Sequence, residues 1–223
     1  ERLGAPIRMT CLAFSLIMLM ITTGMFFQYF GDVSWMNIAF NDYEYQTTYS
    51  WIESLGINWA VGLDALSFPM VWLTTFLLPV TIIATWNEKS GATYFPLLLL
   101  MGGALIGVFV SLDLFMFYVF WELTLIPMFF LILKWGGKDR KYASQKFFIY
   151  TFTASVVMLL GLITLYFLQD PYSLPSAGTM TGRSFSIPEL IDSARTSNVG
   201  DNWYLGEQMQ KILFVMLMIG FLV

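Results

Sequence analysis

Five stretches of the chain, residues 9–30, 65–86, 95–112, 114–133 and 147–168, are each apolar over close to the length a helix needs to cross a bilayer. About 20 residues, rising 1.5 Å each, cover the roughly 30 Å of hydrocarbon. A water-soluble chain needs about a quarter of its residues charged to clothe its surface; here the charged share is 12% while 57% of residues are hydrophobic. Lipid is therefore the expected solvent of most of the surface. The predicted fold is all-α, a polytopic transmembrane helix bundle forming a single membrane domain over residues 1–223. Residues 9–30 are too long for the apolar part of a signal peptide and no small-residue cleavage site follows, so they count as a span. A further apolar run, 212–223, is too short to cross alone, and the chain opens with Glu1 rather than methionine. The reading is an internal piece of a longer protein, with five complete spans and the start of a sixth.

Basic residues assign the sides. Arg2, Arg8, Lys89, Lys134, Lys138, Arg140, Lys141 and Lys146, eight of the 11 Lys and Arg, fall before the first span, between the second and third, or between the fourth and fifth. The opposite side receives Arg183, Arg195 and Lys211 with most of the acids, among them Asp32, Asp42, Glu44, Glu53, Asp64, Asp113 and Asp170. By the positive-inside rule the chain starts on the cytoplasm-equivalent side, and the five spans alternate without conflict. Both long loops, 31–64 and 169–211, then lie outside. The first is rich in Trp, Tyr and Asn, as suits a segment at the headgroup level. The second carries Pro171, Pro175, Gly178 and Gly182 and reads as mostly irregular, with a short helix near Ser186–Ala194 announced by Ser186, Pro188 and Glu189.

The chain has no histidine and one cysteine, Cys11, which removes the usual ligands of zinc, copper, haem and iron–sulfur clusters. Cys11 reads as a small apolar filler. No Gly-rich phosphate loop is present and nothing suggests nucleic-acid binding. Any chemistry must use carboxylates, lysines, hydroxyls and water.

Against that background the stretch FYVFWELTLIP, residues 117–127, sets one acid in the middle of a span. Glu122 is the ninth residue of the run 114–133, roughly 12 Å of helix axis from its nearer end, too deep for a short side chain to reach the surface. An ionised acid there costs at least about 2.5 kcal/mol. A buried cation, a water-filled cavity or protonation can offset that cost. Burial raises a carboxyl pKa and a nearby lysine lowers it, so a Glu with a movable cationic partner can take up and release a proton in turn. Pro127 adds polarity, since its missing N–H frees the carbonyl of Leu123. The competing reading is that Glu122 only glues helices together.

Other candidates are weaker. Asp113, at the turn between two closely spaced spans, fits either a proton site or an ordinary helix cap. Lys146, opening the fifth span, fits either a proton entry route or a side chain snorkelling to the basic side. Gly103 and Gly107 have the GxxxG spacing of close helix packing. Pro79 is expected to kink the second span, with Thr75 satisfying a freed backbone group.

The stretches GLDALSFPMVWLTTFLLPV (62–80), IGVFVSLDLFMFYVFWELTLIPMFFLI (106–132) and WGGKDRKYASQKFFIYT (135–151) resemble the antiporter-like M subunit of complex I-type proton-pumping oxidoreductases. The resemblance implies a bundle of about fourteen helices built from two inverted repeats, of which this chain would lack the first helix and end within the seventh. It implies a proton-translocating role for Glu122, paired with a lysine of that seventh helix which no residue here supplies; a lysine followed by proline shortly after Val223 would match. It also implies an enzyme whose nicotinamide or analogous donor, flavin, iron–sulfur clusters and quinone reside in partner subunits, this chain having no redox centre. Other membrane subunits, homologous antiporter-like ones among them, and the bilayer would be its partners. The location would be a bacterial or archaeal cytoplasmic membrane or an organellar energy-converting membrane. Subunits of Mrp-type cation/proton antiporters and of membrane-bound hydrogenases remain open alternatives, as does a purely structural membrane subunit.

Overall fold

The computed structural model describes residues 4–32, 43–88, 91–169, 183–196 and 207–222. Seven α-helices and one hairpin make up these residues: α1 (Gly4–Asp32), β1 (Glu44–Ile52), β2 (Ile57–Leu63), α2 (Ser67–Ala84), α3 (Gly91–Val110), α4 (Leu114–Trp135), α5 (Arg140–Phe167), α6 (Ile187–Thr196) and α7 (Glu207–Leu222). Helices α1 to α5 coincide with the five apolar runs and are each long and apolar enough to cross a membrane; α7 is apolar but shorter. The ends differ from the hydropathy reading in both directions: α2 is shorter than its run at each end, and α1 and α5 are longer at their N-terminal ends. Helix α5, for instance, begins at Arg140, so Lys146 sits in its second turn.

Polarity is arranged for lipid. Large apolar side chains such as Phe14, Phe27, Phe76, Ile149, Leu160 and Phe214 stand exposed, while Ser15, Thr75, Ser144 and Ser155 are fully buried between helices. With lipid outside as apolar as leucine, small and hydroxylated residues are what let helices approach and bond. The Thr22 and Thr75 hydroxyls meet at 2.8 Å across α1 and α2, and the Trp72 indole donates to Thr23 at 3.0 Å beside them. Cys11 lies buried among Ile82, Phe95 and Leu98, consistent with a filler.

The helices pack as neighbours in chain order, α1 on α2 and α3, α3 on α4, α4 on α5 and α5 on α7. Glycines set the closest approaches, though not with the expected pairing. Gly107 lies against the Phe120 ring of α4 and Gly102 against Leu78 of α2, whereas Gly103 faces open space. The GxxxG spacing is thus only half used, because α3 is clasped from two sides and its small residues serve two different faces. Thr75 also departs from expectation: its hydroxyl serves Thr22 and the Trp72 carbonyl, the latter a carbonyl that Pro79 does not free.

The connections at the two ends of the bundle differ in structure. On the basic side, Arg8 of α1 donates to the Glu88 carbonyl after α2, and Tyr94 of α3 meets Trp135 of α4 ring to ring at 4.9 Å. On the acidic side the α3–α4 link, residues 111–113, is clamped between two extended segments. The Leu112 N–H donates to the Ala60 carbonyl of β2 at 2.9 Å, the Leu114 N–H to Phe185 at 2.9 Å, and the Ile187 N–H to the Leu112 carbonyl at 2.8 Å. Gln169, at the end of α5, exchanges two bonds with the Ser184 main chain at 2.8 and 2.9 Å. The β1–β2 hairpin was not anticipated within 31–64. It pairs antiparallel through a turn at Gly56, whose φ of 66° favours glycine. The short helix near Ser186–Ala194 is present as α6.

Replacing Gly107 with leucine should force Phe120 away and weaken the bundle by about 1–3 kcal/mol, read as a lower thermal midpoint in detergent. Leucine at Gly103 should leave the midpoint unchanged.

Candidate functional site

Glu122 occupies the third turn of α4, half-buried, on a helix whose Pro127 is fully buried five residues later. Its Oε1 is sealed from solvent and accepts no hydrogen bond. Leaving a buried polar atom unsatisfied costs about 1–3 kcal/mol, and such atoms in folded proteins demand a reason. Tyr118 lies one turn earlier on the same face. Its hydroxyl interacts with the Glu122 carboxylate and with the hydroxyl of Ser155 on α5. Ser155 is fully buried and also donates to the Phe152 carbonyl at 2.9 Å. Aromatic rings close one flank: Phe221 of α7 lies 5.2 Å from Trp121 and 5.9 Å from Phe117.

Among the described residues, every lysine and arginine lies in a connection or within two turns of a helix end, so none stands at the depth of Glu122. Lys211 sits in the second turn of α7. What the assembly offers chemically is a carboxyl able to hold a proton and two hydroxyls able to accept and donate one, Glu122–Tyr118–Ser155, crossing from α4 to α5. Tyr118 is four residues before Glu122, a spacing that could have flagged it in the sequence. Ser155 had no such signal, since only helix packing brings it near.

Asp113 and Lys146 are placed elsewhere. Lys146 is exposed at the basic end of α5, its ammonium 5.8 Å from the Tyr142 ring and 5.6 Å from the Tyr150 ring, and nine residues, roughly 13 Å of axis, from Ser155. Asp113 is fully buried in the acidic-side layer. Its Oδ1 caps α4, accepting from the N–H groups of Phe115 at 2.9 Å and Met116 at 3.2 Å, and its Oδ2 accepts from Asn58 of β2 at 3.1 Å. One side chain therefore starts a helix and ties it to the hairpin. Burial pushes the Asp113 carboxyl above its ordinary range, the three backbone donors oppose that, and the nearby Glu189 of α6 adds to it. Glu189 is a neighbour the sequence did not pair with Asp113; one of its oxygens, Oε2, is buried without a partner. No group of three or more His, Cys, Asp or Glu that could hold a metal occurs among the described residues.

Fold and site define an integral membrane protein of the antiporter-like helical type. The profile of the family described as "NADH:quinone oxidoreductase/Mrp antiporter, TM" matches residues 111–223. This chain belongs to that family. It is 41% identical over 181 residues to F(420)H(2) dehydrogenase subunit M of Methanosarcina mazei, covering 80% of this chain and 34% of that one. It is 37% identical over 165 residues to NAD(P)H-quinone oxidoreductase chain 4 of Prochlorococcus marinus, covering 74% of this chain and 30% of the relative. Among solved structures, the fold matches a chain of respiratory complex I from Thermus thermophilus with TM-score 0.73 at 21% identity, over 98% of this chain and 41% of that one. The chain thus spans about a third of the length of these curated relatives.

A carboxyl whose pKa rises on folding binds its proton more tightly in the folded chain than in the unfolded one. Its contribution to stability is complete below the unfolded value of about 3.9 and is lost as pH rises through the folded value. Relative to Asp113→Asn, the wild-type thermal midpoint should therefore drop as pH is raised from about 4 to about 7. Asp113→Ala, which removes the cap, should cost about 1–2 kcal/mol at about pH 4.

Proposed function

We propose that this chain is part of a proton-translocating membrane subunit of a complex I-type oxidoreductase, with Glu122 as a proton-binding group on the path. The observation that carries the reading is the buried, unpartnered carboxylate oxygen at mid-span. A permanently ionised glutamate would need a cation or water there, and a permanently protonated one would donate its hydrogen bond to a neighbour. An acid with one oxygen unpartnered, whose polar neighbour is a hydroxyl that can both donate and accept, is suited to changing state. The hydroxyls of Tyr118 and Ser155 extend the polar path toward α5. Membership of a family whose description joins quinone oxidoreductases and Mrp antiporters is consistent with ion translocation. The relatives that match at 37–41% identity carry oxidoreductase names, which favours the respiratory reading over the Mrp one.

In this reading the redox steps, with their nicotinamide or F(420)H(2)-type donor, flavin, iron–sulfur clusters and quinone, belong to partner subunits. This chain's residues hold and pass the proton. Moving one charge against the membrane potential requires about 2.3 kcal/mol per 100 mV. That free energy would arrive as a change in the electrostatic surroundings of Glu122, most directly the approach and withdrawal of a cation, which shifts a carboxyl pKa in the required sense.

In the assembled complex, Glu122→Gln should reduce proton translocation by roughly tenfold or more, the scale on which a proton-transfer group contributes, while the complex still assembles. Undiminished pumping in reconstituted vesicles would return Glu122 to a packing role. Tyr118→Phe removes one hydroxyl and leaves the ring, and should slow translocation by about fivefold, the equivalent of one hydrogen bond.

A further inference from the structure

At the basic-side ends of α3, α4 and α5 lies a cavity of about 380 Å³ lined by Thr93, Leu133, Lys134, Trp135 and Arg140. Its two cations are held in place by neutral groups. The Arg140 Nη1 donates to the Lys134 carbonyl at 2.8 Å, and the Lys134 ammonium stands 5.7 Å from the Trp135 ring centre. Neither makes an ion pair among the described residues, and none of the five lining residues is acidic. Two fixed, uncompensated cations in a concavity are a receptor for an anion.

The surroundings identify the anion's carrier. Trp135 ends a transmembrane helix and packs on Tyr94 of the next one at 4.9 Å, an aromatic pair at the depth where headgroups lie. Leu133 supplies an apolar wall on the membrane side. Over residues 134–146 there are five basic residues and a single acid, Asp139. Basic pockets between transmembrane helices on this side of a bilayer suit anionic headgroups, each Lys or Arg near the surface contributing about 1 kcal/mol. We propose that the α3–α4–α5 cavity binds the phosphate headgroup of an anionic phospholipid, with Lys134 and Arg140 as its ligands and Trp135 and Leu133 against its glycerol and upper acyl chain.

The test uses the assembled complex in nanodiscs of phosphatidylcholine doped with a photoactivatable phosphatidylglycerol, with labelled peptides quantified by mass spectrometry. Labelling at Thr93 and Leu133–Arg140 should fall about thirtyfold in Lys134→Gln/Arg140→Gln, as two surface cations at about 1 kcal/mol each warrant. It should be retained in Lys134→Arg/Arg140→Lys and in Lys138→Gln/Lys141→Gln, which removes the same charge outside the cavity. Short-chain phosphatidylglycerol should displace the probe, and inorganic phosphate at equal concentration should not. The proposal is overturned if a phosphatidylcholine probe labels the wild-type site equally well, which is decisive even if the glutamine variant does not assemble. It is also overturned if Lys138→Gln/Lys141→Gln lowers labelling as much as the cavity variant, or if free phosphate competes as effectively as the lipid.

Discussion

The hydrocarbon interior offers no water to satisfy a polar group, and everything else in this molecule follows from that. Backbone donors and acceptors must bond within each segment, which leaves helices as the only elements that cross. Hydroxyls turn inward and bond to carbonyls of their own helix or to each other, as Thr22, Thr75 and Ser155 do. The outward faces become the apolar ones, and close approach at Gly102, Gly107 and Gly220 joins the burial of Phe68, Phe95 and Met158 in packing the helices. Under this rule an acid at mid-span with an unpartnered oxygen is the exception that calls for a use.

The acidic-side layer is the counterpart of the bundle. Three connections that are far apart in sequence meet there through main-chain bonds: β2, the 111–113 link and the segment before α6. Asp113 sits at their junction, so a residue that starts the helix bearing Glu122 is also the one that fastens it to the hairpin. The end of α4 nearer Glu122 is thereby fastened to the hairpin. On the opposite face no comparable layer forms among the described residues; contacts there are single bonds and ring pairs, with lysine and arginine side chains left facing the headgroups.

Much of this was readable beforehand because its physics is one-dimensional. Span length, charge asymmetry, the start signal at Ser186 and the isolation of Glu122 all depend on residues near one another in the chain. The hairpin was missed although its strands are rich in Tyr, Thr, Trp and Ile, since in a loop of a membrane protein those residues also read as interface anchors. Which glycine packs was misread at Gly103, because a spacing identifies one helix face without saying how many neighbours the helix has.

The amino-acid order alone determined that this chain lives in a bilayer and which side chain is out of place within its spans, because transfer of each segment between water and lipid is decided segment by segment. The tertiary structure alone decided that Ser155 would meet Tyr118 beside Glu122, that Asp113 would bridge α4 to β2, and that Lys134 and Arg140 would line one cavity. Those outcomes depend on which helix faces meet, and the order of residues within any single segment carries no record of its neighbours.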